Sequence, residues 1–111
     1  FAPTNAAFAK LPVPFNNVAN ISAIADQAQI DALTNILLYH VTDSRYFGWD
    51  LGIFSRINML SAAPRNKVTG IIGWPTGWVK GNRNRFFSYI KPGDLFATNG
   101  VVHVIGDVLQ P

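Results

Sequence analysis

The sequence predicts a single α+β domain over residues 1–111, with helices first and strands after them. Two patterns lead to this class. The first 38 residues hold two stretches whose apolar side chains recur every three or four positions, as on one face of a helix. From residue 56 onward, short apolar runs alternate with turn residues, which is typical of a small wedge or sandwich of β-strands.

The first predicted helix is short. Pro3 closes an extended segment, and the Thr4 hydroxyl is suited to cap the helix that follows. Phe8 and Leu11 lie three residues apart on one face, and Pro12 ends the helix. The Pro- and Asn-rich stretch over residues 11–20 is predicted to be a loop.

The second predicted helix runs from Gln27 to Leu38. Asp26 and Gln29 have the spacing of a capping box at its start. Residues 39–42 are β-prone, so a strand is expected directly after the helix. The apolar stripe of this helix consists of Ile30, Leu33, Ile36 and Leu37.

Most of the remaining chain is predicted to be β-structure. The last apolar run is nearly continuous, as in a strand that is buried on both faces. Asn99 and Gly100 precede it and predict a tight turn with positive φ. The predicted strands are Arg56–Ser61, Lys67–Ile72, Trp78–Lys80, Phe86–Ile90 and Val101–Ile105.

Composition excludes several classes of protein. With 49% hydrophobic and 14% charged residues, the chain is too apolar and too weakly charged to be disordered. The absence of cysteine excludes disulfides, thiolate metal sites and a cysteine nucleophile. No apolar run approaches the length of a membrane-spanning helix, so no membrane span is predicted.

No catalytic or metal-binding motif is found in the sequence. His40 and His103 are far apart and have no Cys, Glu or second His at ligand spacing. Each lies in an apolar run, which favours a neutral, hydrogen-bonded core histidine, and the two are candidates for one shared network. We therefore expect no catalytic residue, no cofactor and no metal, with a hydrolase that uses the histidines as an alternative.

The positive charge is concentrated in the middle of the chain. Residues 44–91 hold eight of the nine cationic residues and one aspartate, whereas both flanking segments are acidic. A basic middle segment indicates either an anionic partner or solvated strand edges that resist edge pairing, and we favour the second interpretation.

Aromatic and basic residues are interleaved within residues 74–91. We favour aromatics that face the core and cations that face solvent. The alternatives are an acidic polysaccharide, with indole rings packed on sugars, and then single-stranded nucleic acid, which we do not expect. The candidate glycan contacts are Trp74, Trp78, Lys80, Arg83 and Arg85.

Three segments resemble the signatures of the fasciclin-like domain, in the order that this family shows. They are FAPTNAAF at residues 1–8, the pair Tyr39-His40 at the end of the second helix, and TNGVVHVI at residues 98–105. The last signature is followed by Leu109-Gln110-Pro111. The resemblance implies a β-wedge of two small sheets flanked by short helices.

The resemblance also implies a function. Fasciclin-like domains mediate adhesion without a cofactor or catalysis, so a secreted, periplasmic or cell-surface module is expected, with a surface protein or polysaccharide as its partner. Family members usually have further helical residues before the first signature. This implies an N-terminally incomplete domain with exposed apolar surface, which a partner chain or a homo-oligomer would cover.

Two short motifs of animal matrix members are implicated in integrin binding, and both have counterparts here. One corresponds to Tyr39 and His40, which we expect to be mostly buried. The other, an Asp-Ile pair in the family, corresponds to Asp94 and Leu95. Since Asp94 lies in a predicted turn and can present its carboxylate to a receptor's metal ion, we rank it first among the four candidate contacts.

Overall fold

The computed structural model describes residues 1–62, 64–72 and 77–111 and has the α+β class that the sequence predicts. Its helices lie in the first half of the chain and most of its strands in the second half. The helices are α1 (Asn5–Phe8), α2 (Val18–Ser22), α3 (Gln27–Leu38) and a 3₁₀ helix (Gly48–Leu51). The strands are β1 (Ala2–Pro3), β2 (Ser55–Asn58), β3 (Lys67–Ile71), β4 (Trp78–Lys80), β5 (Ser88–Tyr89), β6 (Leu95–Ala97), β7 (Gly100–Val102) and β8 (Val104–Ile105).

Local capping explains the helices that the sequence predicts. The Thr4 hydroxyl accepts a hydrogen bond from the Ala7 amide at the start of α1, although this helix ends at Phe8 and does not reach Leu11. Helix α3 has the predicted bounds. Its cap is Asp26, whose carboxylate accepts from the Ala28 amide.

Two predictions next to α3 are wrong. Part of the predicted loop folds into α2, because the Asn17 side chain caps a short helix by accepting from the Asn20 amide. No strand begins at residue 39; the amide of Tyr39 instead bonds to carbonyls of the last helical turn, and the chain leaves the helix through a turn. Helix hydrogen bonding therefore overrides the β-propensity of residues 39–42.

The main sheet is antiparallel, with the order β2-β3-β4-β5. Its strands match four of the five predicted runs, with ends that differ by up to three residues. Side chains alternate between its two faces, so that Ile57, Val68 and Val79 are fully buried. The opposite face carries Arg56, Lys67, Trp78 and Lys80.

The predicted strand Val101–Ile105 is divided in two. Its first part, β7, pairs antiparallel with β6, while β8 pairs parallel with β1. The break falls at His103, whose carbonyl accepts from the Ala2 amide, and Val102 is 39% exposed rather than buried. The turn before β7 is centred on residues 98–99, and Gly100 lies in the strand without the predicted positive φ.

The core lies between the sheet and the terminal segments. It is formed by Tyr39, Leu51, Ile57, Met59, Val68, Val79, Ile90, Ile105 and Leu109. Helices α2 and α3 contribute no buried residue, and Leu37 of the predicted apolar stripe is 47% exposed. The helical side of the domain thus presents apolar side chains to solvent.

Candidate functional site

Tyr39 and His40 are buried, as the sequence predicts, and their polar atoms are engaged. The Tyr39 hydroxyl donates to the Lys67 carbonyl (2.6 Å) and accepts from the Asn82 amide (3.1 Å). Burial raises the pKa of Tyr39, so the phenol stays protonated and can make both bonds. Through these two bonds Tyr39 links the end of α3 to the sheet and to the turn after β4.

His40 is held as a neutral ring. Its Nδ1 lies 2.7 Å from the Ile36 carbonyl, and its Nε2 accepts from the Leu109 amide at 2.8 Å. This arrangement requires Nδ1 to carry the proton. Burial lowers the pKa of His40 to about 4, although the bond to Ile36 acts in the opposite direction.

His103 forms the second link between distant segments. Its Nδ1 accepts from the Asp94 amide (3.1 Å), and its Nε2 donates to the Tyr46 carbonyl (2.5 Å). The histidines are not bonded to each other, but Phe1 touches both: its nitrogen donates to the His40 carbonyl, and its ring stacks on His103.

The Asp94 carboxylate is used inside the domain. Asp94 has the left-handed φ of 53°, and its Oδ1 accepts from the Gly48 amide at 2.7 Å. The His103 ring and the Asp94 carboxylate together fasten the start of the 3₁₀ helix to the turn before β6. We call these contacts of His103 and Asp94 the clasp. The clasp fixes the relative positions of the two segments and of the side chains that they carry.

Beside the clasp lies a cluster of three rings that we call the aromatic patch, formed by Phe47, Trp49 and Phe96. The rings of Phe47 and Trp49 stack with centroids 4.8 Å apart, and Phe96 lies 5.8 Å from Phe47. Trp49 is 63% exposed and Phe96 is 77% exposed. Of the four candidate adhesion contacts, Leu95 is the one with an exposed side chain, and it precedes Phe96 in β6, where successive side chains point to opposite faces.

Sequence reasoning missed the three rings of the patch. They come from segments about 50 residues apart, which the clasp joins through the bonds of Gly48 to Asp94 and of His103 to Tyr46. The available signal was local and weak: Gly48 and Asp50 flank Trp49, and the turn residues Asn99 and Gly100 follow closely after Phe96.

The candidate glycan contacts are spread over the outer face of the sheet and the turn that follows β4. Trp78 and Lys80 lie on the same face of β4, opposite the buried Val79, and Trp78 meets the ring of Tyr89. Lys80 lies over the ring of Phe87 at 5.9 Å. Arg83 and Arg85 are exposed, and Arg85 lies 5.2 Å from the ring of Phe86; Trp74 falls outside the described residues.

The described residues offer neither a metal-binding cluster nor a helix that could cross a membrane. Within residues 1–62, 64–72 and 77–111, no three His, Cys, Asp or Glu side chains are grouped so that they could hold a metal ion. In the same ranges, no helix has both the length and the apolar character needed to cross a bilayer.

Comparison with known proteins identifies the family. The sequence model of the Fasciclin domain matches residues 1–111. The chain is 31% identical over 116 aligned residues to "Transforming growth factor-beta-induced protein ig-h3" of Sus scrofa, covering all of this chain and 14% of that protein. It is 32% identical over 111 residues to "Protein sll1483" of Synechocystis sp., covering all of this chain and 53% of that protein. The chain therefore spans about half or less of each relative, and no solved structure gives a significant match.

These matches agree with the order of the three sequence signatures and with the α+β architecture. Fasciclin domains are generally associated with adhesion, are typically non-enzymatic, and occur in secreted or cell-surface proteins. The chain belongs to the fasciclin domain family.

Proposed function

We propose that this domain is a non-catalytic adhesion module that acts outside the cell and binds a partner protein through the aromatic patch. The observation that supports this most directly is the exposure of Trp49 and Phe96. Large aromatic side chains are costly to leave in water and dominate the energy of protein interfaces when a partner covers them.

The clasp supports the same proposal. A surface binds tightly when its anchor residues are already in place, because less conformational freedom is lost on binding. His103 and Asp94 fix the two segments that carry the patch, and both make these bonds to backbone atoms. In this proposal Asp94 positions the patch, and Tyr39 and His40 stabilise the core. Leu95 lies on the other face of β6 from Phe96 and is a separate candidate contact.

The test is a cell-attachment assay on beads coated with the full chain, using cells of the organism that makes the protein. Phe96→Ser should reduce attachment about tenfold, as expected for an interface anchor. The matched control is Phe86→Ser, because Phe86 is 73% exposed but lies outside the patch. Equal attachment to the Phe96→Ser and unmodified chains would refute the proposal that the aromatic patch binds the partner.

Asp94→Asn separates positioning from direct contact. An amide oxygen can still accept from the Gly48 amide, so attachment should persist although the charge is gone. If Asp94→Asn abolishes an attachment that also requires a divalent cation, the carboxylate itself contacts the partner and the positioning role is wrong.

A second candidate function is binding of an acidic polysaccharide by the basic aromatic segment around Trp78, Lys80 and Arg85. It is favoured by the pairing of Lys80 with Phe87 and of Arg85 with Phe86, since such surfaces offer both ring stacking and positive charge. Affinity for an acidic glycan should then fall steeply between low and physiological salt. Binding that is insensitive to salt would refute this candidate.

A further inference from the structure

We propose that a groove on the outer side of β2 and β3 binds an acidic polysaccharide through Arg56, Arg65 and Lys67. We call this cavity of about 420 Å³ the basic groove; its lining consists of Arg56, Pro64, Arg65, Asn66, Lys67 and Asn82. Three of these residues are cationic, two carry amides and none is acidic. Such a lining is complementary to the sulfate or carboxylate groups of a polysaccharide.

The sheet register places two of these cations, Arg56 and Lys67, close together. Arg56 pairs with Thr69 across β2 and β3, and Lys67 is two residues before Thr69 on the same strand. Both side chains point away from the buried face, because Ile57 and Val68 beside them point into the core. Diagonal neighbours on one face of a sheet lie within reach of long side chains, so both cations can meet one anionic chain.

The walls of the basic groove are tied to the core. Asn82 donates from its side chain to the Arg65 carbonyl at 2.6 Å, which holds the turn before β3 against the turn after β4. Asn82 also donates through its backbone amide to the Tyr39 hydroxyl, and Tyr39 donates to the Lys67 carbonyl. One buried phenol thus fixes the backbone on two sides of the groove.

The cations of the groove lack acidic partners in the part of the chain that the structure describes. The ion pairs found there join Lys10 to Asp107 and His103 to Asp94, and neither involves a groove residue. A neighbouring cavity shares Pro64 and Arg65 and adds Arg83. Four cations without a carboxylate within ion-pair distance create a positive potential that an anionic partner neutralises.

The same lining favours a polysaccharide over single-stranded nucleic acid. Proteins that bind single strands stack the bases on aromatic rings as well as neutralising the phosphates. Among the described residues that line the basic groove there is no aromatic side chain. Its two asparagines and its proline suit the hydroxyl groups and flat faces of a sugar chain better than they suit bases.

This inference takes its class of partner, an acidic polysaccharide, from the second candidate function and assigns that partner to a different surface. The test measures binding of heparin, a sulfated polysaccharide, to the full chain at low salt by calorimetry. Arg65→Gln combined with Lys67→Gln should weaken binding about five- to twentyfold, as two lost ion contacts imply. The slope of log Kd against log salt should fall by about 1.5, because fewer counterions are released.

Two control variants lose the same charge. Arg45→Gln combined with Lys91→Gln removes exposed cations that do not line the groove and should change the heparin affinity less than about twofold. An equal loss in this control would overturn the inference, because net charge alone would explain it. Lys80→Gln combined with Arg85→Gln tests the basic aromatic segment. If this variant weakens heparin binding and the Arg65→Gln, Lys67→Gln variant does not, the second candidate function is supported and the basic groove is not the binding site.

The remaining measurements use other ligands with the unmodified chain. Neutral dextran should not bind, and inorganic sulfate should compete with heparin only weakly, because a single anion reaches few of the cations. Tighter binding of oligodeoxythymidylate than of heparin at equal charge would overturn the choice of a polysaccharide. No heparin binding by the unmodified chain would refute both the groove and the second candidate, while Phe96→Ser tests the aromatic patch independently.

Discussion

Acid should destabilise this domain through His40. In the folded state, burial lowers the pKa of this ring from its ordinary value of 6.5 to about 4. The unfolded chain therefore binds the proton more tightly, and the free energy of unfolding decreases as the pH falls below about 7. The structure shows why: a proton on Nε2 would face the Leu109 amide, a second donor only 2.8 Å away.

The two pKa values set the size of the effect. Relative to its value above pH 7, the free energy of unfolding is lower by about 1 kcal/mol at pH 6 and by about 2 kcal/mol at pH 5. The decrease levels off at about 3 kcal/mol below pH 4. Above pH 7 the ring is neutral in both states, so His40 contributes no slope there.

Urea unfolding of the chain and of His40→Gln at pH 7.5, 6 and 5 measures this contribution. The variant keeps His103 and all carboxylates, so the difference between the two pH curves isolates His40. NMR titration of the folded chain gives a second readout, in which His40 should titrate below pH 5. Parallel pH curves together with a His40 that titrates above pH 6 would refute the reasoning.

Further predictions concern the core and its backbone. His40→Ala leaves the buried Leu109 amide without its acceptor and should lower the free energy of unfolding by about 1–3 kcal/mol; an unchanged melting temperature would contradict this. Tyr39→Phe should lower the free energy of unfolding in urea by about 2 kcal/mol, because it removes one hydroxyl that bonds to two backbone partners. A decrease below about 0.5 kcal/mol would contradict the proposed link between α3 and the sheet. Gly81→Ala should cost about 3 kcal/mol, since its Cβ would lie 2.5 Å from a backbone oxygen of the C-terminal segment. Gly100→Ala has open space around its Cβ and should be neutral within about 0.5 kcal/mol; equal costs for the two glycines would show that the predicted clash is relieved.

The features that the sequence predicted well are set by neighbours along the chain. Helix α3 is predicted to the residue because its cap at Asp26 and its apolar stripe are local signals. Strand β4 is likewise flanked directly by Gly77 and Gly81, which break a strand pattern in the sequence. The buried state of Tyr39 and His40 could be predicted because both lie in a strongly apolar run.

What could not be predicted depends on contacts between distant residues. The split between β7 and β8 arises because β1, about 100 residues earlier, takes one half of the apolar run as its partner. The aromatic patch depends on the bond between Asp94 and Gly48, and the basic groove on the bond between Asn82 and Arg65. Periodicity carries no information about such pairs, because it reports which face a residue occupies and not what that face meets.

The parallel pairing of β1 with β8 has a mechanical consequence for a module that holds surfaces together. When the chain is pulled from both ends, these two strands move in opposite directions along their own axes, so their hydrogen bonds are sheared together instead of being opened one by one. The load must first detach the Leu109 amide from His40 and the Gln110 amide from Asn84. Resistance to tension therefore resides in the smallest sheet of the domain, and it rises with the number of bonds that must break at the same moment.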